Sequence, residues 1–304
     1  MNPLVRAHLA LFLTSVLFAA NFSIAKIAMP EWVPPFAFIS IRVVPTALVF
    51  WLLHRFTVRE PIRSRRDLGK MLLGALLGIA GNMLLIFKGL SLTAPINASL
   101  LTILSPIVVL VGSSFLIGEP MTRRKMLGTL LAAGGTVLLV VNSRSAETTG
   151  SLEGDLLVLV SAVSYGGYLI LTRPLAQRYH PFTIMKWNFL FGVLLVVPFG
   201  IVPLQQIQWS QFPAEVWGSV VFVVIGVTIL PYLFNAVALR TVSASVAGIY
   251  IYLQPPMAAW FAVMLGKDQL TWTKIGLGLL ILLGVFIASR PRLPQPRAKV
   301  LNES

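Results

Sequence analysis

The sequence predicts an all-α integral membrane protein, with ten transmembrane helices in two inverted five-helix repeats. Three observations carry that expectation: apolar runs of membrane length along the whole chain, basic residues concentrated in alternate connecting segments, and a weak self-match under a shift of 146 to 150 residues. A mean hydropathy of +0.85, with 57% hydrophobic and only 11% charged residues among 304, exceeds what one soluble core of this length hides.

The predicted spans are 7–29, 34–54, 70–91, 95–117, 125–142, 154–173, 182–203, 216–239, 244–265 and 273–289. Each holds about 20 residues, enough to cross a hydrocarbon layer of about 30 Å. The first run follows a single Arg6 and has no small-x-small cleavage pattern, so it reads as a retained helix rather than a signal peptide. The second opens at Pro35-Phe36 and contains Arg42. The third, fifth and tenth carry glycines (Gly74, Gly78, Gly81; Gly128, Gly134, Gly135; Gly276, Gly278, Gly284), which read as sites of close helix packing. The fourth contains Pro106 and the ninth Pro255-Pro256, mid-span prolines that free a carbonyl one turn back and make kink or hinge candidates. The polar segments between spans are too short to fold alone.

An even number of spans puts both termini on one side. The N-terminus, every second loop and the tail hold 17 Lys and Arg, against 4 (Lys88, Arg144, Lys267, Lys274) in the opposite set. The positive-inside rule then places both termini in the cytoplasm. The self-match sets Pro35-Phe36 on Pro181-Phe182, Ser15 on Ser161, Pro106 on Pro256 and Gly135 on Gly284. Because a unit of five spans is odd, its second copy enters the membrane from the other side. Inverted repeats of this kind build many secondary transporters, with the substrate site near the midplane between them. The expected division is a first repeat at 1–145, a second at 151–290 and a cytoplasmic tail at 291–304.

Composition also excludes chemistry. The net charge of +14 lies in short interhelical segments rather than on one basic face, which argues against nucleic acid. Zero cysteines remove disulfides and thiolate chemistry, and His8, His54 and His180 form no HxxxH or HExxH pair, so no metal or other cofactor is expected. No GxxxxGK[ST] sequence is present for direct use of ATP, and no GxSxG or paired intramembrane acids for an enzyme acting on lipid.

Phe18-Ala-Ala-Asn21-Phe22 with Lys26, Pro35 with Arg42, Ala94-Pro-Ile-Asn97-Ala98-Ser99-Leu100-Leu101, Ser105-Pro106, then Gly118-Glu119-Pro120-Met121-Thr122 before a glycine-rich helix, resemble the EamA-type branch of the drug/metabolite transporter superfamily. The likeness extends to about residue 290; the second copy departs from it at Gly266-Lys267-Asp268-Gln269-Leu270-Thr271, without a clear Gly-Glu. The resemblance implies ten helices around a central cavity and export of amino acids or related small metabolites.

No acid falls deeper than the end of any apolar run, whereas Lys26, Arg42, Lys88 and Lys186 lie within them. An ionisable group buried in a bilayer marks a functional site by default. Arg42 is the sharpest substrate-binding candidate, since a guanidinium keeps its charge and grips a carboxylate with two parallel hydrogen bonds; its alternative is to tie backbone carbonyls at a helix break. Lys26 either attracts substrate or snorkels to the interface, while Lys88 and Lys186 read as interfacial. Asn21 and Gln254 join the candidates because small or broken backbone accompanies them. Tyr165, Tyr168 and Tyr250, with Phe18, Phe22, Tyr252 and Trp260, lie on spans that the resemblance places around the cavity, and Trp32, Trp209 and Trp272 read as interfacial anchors.

The functional expectation is a secondary carrier of the bacterial inner membrane, exporting an amino acid or related carboxylate by alternating access. Its partners are a small-molecule substrate and the lipid bilayer; nothing in the sequence fixes an oligomeric state. A channel or membrane scaffold is the alternative, an intramembrane lipid enzyme a remote one.

Overall fold

The computed structural model describes residues 2–29, 31–92, 101–102, 104–142, 151–264 and 271–289. Among them every regular element is helical: α1 (Pro3–Ala28), α2 (Pro35–Leu53), α3 (Arg65–Ala75), α4 (Asn82–Leu92), α5 (Leu104–Ile117), α6 (Arg123–Asn142), α7 (Leu152–Ala176), α8 (Pro181–Gln205), α9 (Ala214–Phe222), α10 (Leu230–Ala238), α11 (Ala244–Ile249), α12 (Gln254–Met264) and α13 (Trp272–Ser289). Helix starts follow local chemistry. Asn2, Ser64, Ser151 and Ser243 each accept a bond from an amide of the first turn, and Pro3, Pro35 and Pro181 occupy first-turn positions where a missing N–H does no harm.

Six helical rods among the described residues are long and apolar enough to cross a membrane, and Leu104–Ile117 and Ile275–Ser289 are shorter apolar helices. The outer surface carries Phe115, Leu116, Leu194 and Leu130, each at least 66% exposed. A soluble protein does not expose large apolar side chains on so many helices, and a lipid-facing one does.

Several labelled helices join into one rod. α2 ends in a π-helical turn at His54–Val58, and two more π turns lie within rods: the first of these joins α3 to α4 at Leu76–Gly81 and the second joins α9 to α10 at Val223–Ile229. α11 meets α12 through a 3-10 turn at Tyr250–Leu253, immediately before Pro255-Pro256, which therefore sit in the first turn of α12. Pro106 is the third residue of α5 as described, and Leu101 and Thr102 before it are also helical. Pro45, Pro174, Pro198 and Pro203 lie inside helices.

Helix contacts keep their pattern when residues 3–142 are exchanged for 152–289. α4 packs on α7 as α10 packs on α1; α5 on α7 as α12 on α1; α8 on the first π turn as α2 on the second. α2 with α8 and α6 with α13 are pairs that map onto themselves.

At one end of the bundle, acids clasp neighbouring rods. Glu60 accepts from the His180 amide at 2.8 Å and the Thr183 hydroxyl at 2.9 Å, and Asp67 accepts from the Tyr179 hydroxyl at 2.9 Å. Glu119, in the turn after α5, accepts from the Ala244 amide at 2.7 Å, the Ser245 amide at 3.2 Å and the Ser245 hydroxyl at 2.7 Å, with the Lys125 ammonium at 3.7 Å. Burial alone would raise the Glu119 pKa; these hydrogen bonds and Lys125 outweigh it and hold the carboxyl below its ordinary value of 4.5.

Because folding lowers this pKa, the unfolded chain binds more protons there than the folded one. The stabilisation is complete above the ordinary carboxylate value and is lost as pH falls through the lowered folded value. Glu119→Gln is therefore expected to lower the melting temperature in detergent at pH 7 and to flatten part of the fall below pH 5. Identical acid limbs for variant and parent would show that the carboxylate does not hold this end together.

Candidate functional site

A cavity of about 500 Å³ occupies the middle of the bundle and reaches the turn between α1 and α2. Helical spacing builds its walls. α1 contributes Phe18, Asn21 and Ala25 at i, i+3 and i+7, which fall on one face, and Gln254 enters from the 3-10 to α12 junction. Met29, Pro35 and Leu90 line the end near the α1–α2 turn, whereas no residue of the Glu119 clasp borders the cavity.

Arg42 is the sole charged residue on the described lining. It is 4% exposed. Its Nε donates to the Thr228 hydroxyl at 3.0 Å, and its Cζ lies 5.3 Å from the Phe87 ring centroid. A ring face offers a cation weak attraction but no hydrogen bond. Among the described residues no side chain or carbonyl accepts from its two Nη groups, which leaves them for an anion. The backbone carbonyl of Arg42 accepts from the Thr46 hydroxyl at 2.6 Å.

Asn21 borders the same cavity, and its Oδ1 is buried with no bond partner among the described residues. Tyr165 lines the wall with its hydroxyl accepting from Asn235 Nδ2 at 3.0 Å. Of the predicted residues, the fold thus brings Asn21, Arg42, Tyr165 and Gln254 to one cavity.

Other placements differ from expectation. Tyr168 is fully buried behind the wall because its ring fills the notch at Gly78, where a Cβ would stand 2.3 Å from it. Tyr250 points away from the cavity, bonded to His8 Nδ1 at 2.8 Å beside a separate void of about 10 Å³. Trp260 is 53% exposed on the outer surface, and Tyr252 is buried in packing against α6 and α13. α1 carries Lys26, but its side chain lies outside the described residues, as do Phe22's side chain and all of Asn97. Lys186 stands with its Nζ 5.1 Å from the Trp187 ring centroid.

Sequence reasoning missed Phe87, Thr228 and Tyr232. Tyr232 lines the cavity and donates to the Gly78 carbonyl, in the first π turn, at 2.6 Å. The signal available for Thr228 was its being the lone hydroxyl in Val223-Val-Ile-Gly-Val-Thr-Ile229.

A multi-pass bundle of lipid-facing helices enclosing a cavity with one cation on its described lining is an architecture suited to a membrane transporter. The chain belongs to the EamA-like transporter family, whose profile matches residues 5–141 and again 152–290. Similar proteins include the uncharacterized transporter YyaM of Bacillus subtilis, 25% identical over 280 residues and 90% of each chain. An uncharacterized transporter of Archaeoglobus fulgidus is 25% identical across 93% of this chain and 97% of its own. A probable terminal-alkyne amino-acid exporter of Streptantibioticus cattleyicolor is 25% identical across 97% of both. A solved crystal structure superposes with a TM-score of 0.77 at 20% identity, covering 93% of this chain and 96% of the other; it shares the fold. The relatives are named transporters and not enzymes.

Proposed function

We propose that the chain is a secondary carrier of the bacterial inner membrane that exports an amino acid or related small carboxylate by alternating access. The observation that carries this reading is Arg42, a buried cation with free donors on a cavity whose described lining has no acid. Asn21 adds an unpaired acceptor suited to a substrate N–H, and Tyr165 and Phe18 add ring faces for an apolar side chain. The amino-acid exporter among the relatives supports the same substrate class.

Ten spans in two inverted repeats, divided at 1–145 and 151–290, are supported by the exchange symmetry of the helix contacts, by the paired π turns and by the family profile matching twice. With both termini cytoplasmic, as the basic loops indicate, the cavity opens outward and the Glu119 clasp closes the cytoplasmic side. Rocking the repeats about the site would exchange the two. With the cell interior negative, outward movement of an anion gains about 2.3 kcal/mol per charge per 100 mV, enough to drive its export without a second ion, whereas a zwitterionic amino acid gains nothing from the potential.

Counterflow in proteoliposomes tests the reading. Labelled neutral amino acids and their 2-keto acids, presented singly, are expected to give saturable uptake driven by the same unlabelled compound inside, for at least one member. Flux linear in concentration and indifferent to competitors would make the protein a channel; no flux for any carboxylate would remove the proposed substrate class.

A further inference from the structure

Arg42 gains its orientation from an irregularity in another rod. In the π turn at Val223–Ile229 the Thr228 hydroxyl reaches the Val223 carbonyl, five residues back, and donates to it at 2.9 Å. Five residues is the π-turn spacing; an α-helical side chain of this kind reaches three or four back. That bond uses the only proton the hydroxyl has. Its oxygen is therefore left as an acceptor, and the group it accepts from is Arg42 Nε at 3.0 Å. Thr228 is wholly buried and cannot turn to water instead.

A guanidinium offers two bidentate edges, one made by Nε with one Nη and one made by the two Nη groups. Thr228 occupies the first, and Phe87 covers a face. The remaining edge is the Nη pair. The hydroxyl that holds the group has no donor left to compete for an anion.

We infer that Thr228, fixed by the π turn, is a positioning residue that presents Arg42 to the cavity end-on, so that an oxyanion is taken through both Nη groups. The inference rests on the reading of Arg42 as the anion-binding group and adds to it how the geometry is set. It also couples that site to the rod α9–α10, because the same hydroxyl closes the π turn. Loss of the hydroxyl leaves the charge of Arg42 intact and releases its direction, so affinity for a carboxylate falls while affinity for a neutral body of the same shape does not.

The test is calorimetric titration of the detergent-solubilised full chain with benzoate, and with benzamide as its uncharged counterpart. The parent is expected to prefer benzoate, and Arg42→Gln to lose that preference. Thr228→Val is expected to weaken benzoate roughly three- to tenfold, the worth of one hydrogen bond, with benzamide unchanged; Thr228→Ser is expected to return benzoate to within about twofold, since it restores the hydroxyl. Should Thr228→Val fail to fold, Thr228→Cys takes its place: a thiol keeps the volume and is a poor acceptor. A Thr228 variant that folds and binds benzoate as the parent does, while Arg42→Gln does not, overturns the positioning role alone. Equal binding of benzoate and benzamide by the parent, or no binding of either, overturns the anion-site reading and this inference with it.

Discussion

Arg42→Gln is expected to abolish saturable transport while leaving the chain folded. The guanidinium holds a single side-chain partner, Thr228, and its remaining donors have no acceptor among the described residues. Glutamine retains an amide donor for Thr228, so packing between α2 and the second π turn loses little. A bound carboxylate loses two charge-assisted hydrogen bonds, each about 1.5–3 kcal/mol. Together these amount to a drop in kcat/KM on the order of a hundredfold or more. Arg42→Lys is expected to recover part of it, because an ammonium supplies the charge but not the parallel pair. Initial rates in proteoliposomes, set beside melting curves, decide the matter. Transport loss that tracks loss of folded protein would make Arg42 a structural clamp between α2 and the α9–α10 rod, and normal transport by a stable variant would leave Lys26 as the next cation to replace.

Arg42 was legible in the sequence because a charge in an apolar run violates the strongest compositional rule of membrane segments, and Asn21 and Gln254 because amides violate a weaker one. The helix bounds were legible for the same reason: apolar runs must end near the interface, and the extents of α2, α6, α8 and α13 fall within a few residues of those predicted. What stays hidden is rotation. A span that is apolar all round carries no periodicity to say which face meets the cavity, so Tyr165 and Tyr168, one turn apart, read alike. The first lines the cavity and the second fills the notch at Gly78, a difference set by a glycine on another rod. The π turns are hidden more deeply. One extra residue per turn leaves no compositional mark, yet it aims Thr228 at Arg42 and leaves the Gly78 carbonyl to accept from Tyr232.

Gly284→Leu is expected to unseat α13 from α6 and to cost about 3 kcal/mol or more, the upper end of overpacking penalties, because the obstruction is backbone and cannot rotate away. A Cβ at Gly284 would stand 2.6 Å from the Ala132 nitrogen and 2.7 Å from the Gly128 carbonyl oxygen; one at Gly128 would stand 2.5 Å from the Gly284 oxygen. Gly128 with Ala132, and Gly284 with Ala288, form facing small-x-x-x-small pairs, the pattern that lets helices approach closely in lipid, where apolar burial gives no drive to associate. α13 also touches the 3-10 turn that precedes Gln254, so its displacement reaches the cavity wall. Gly276→Leu is the matched control: it lies on the same helix, and a Cβ there meets nothing within 4 Å. In detergent, Gly284→Leu should melt several degrees lower or fail to accumulate, with Gly276→Leu near the parent. Equal melting temperatures for the two variants would mean that the α6–α13 contact yields without loss and does not hold the bundle together.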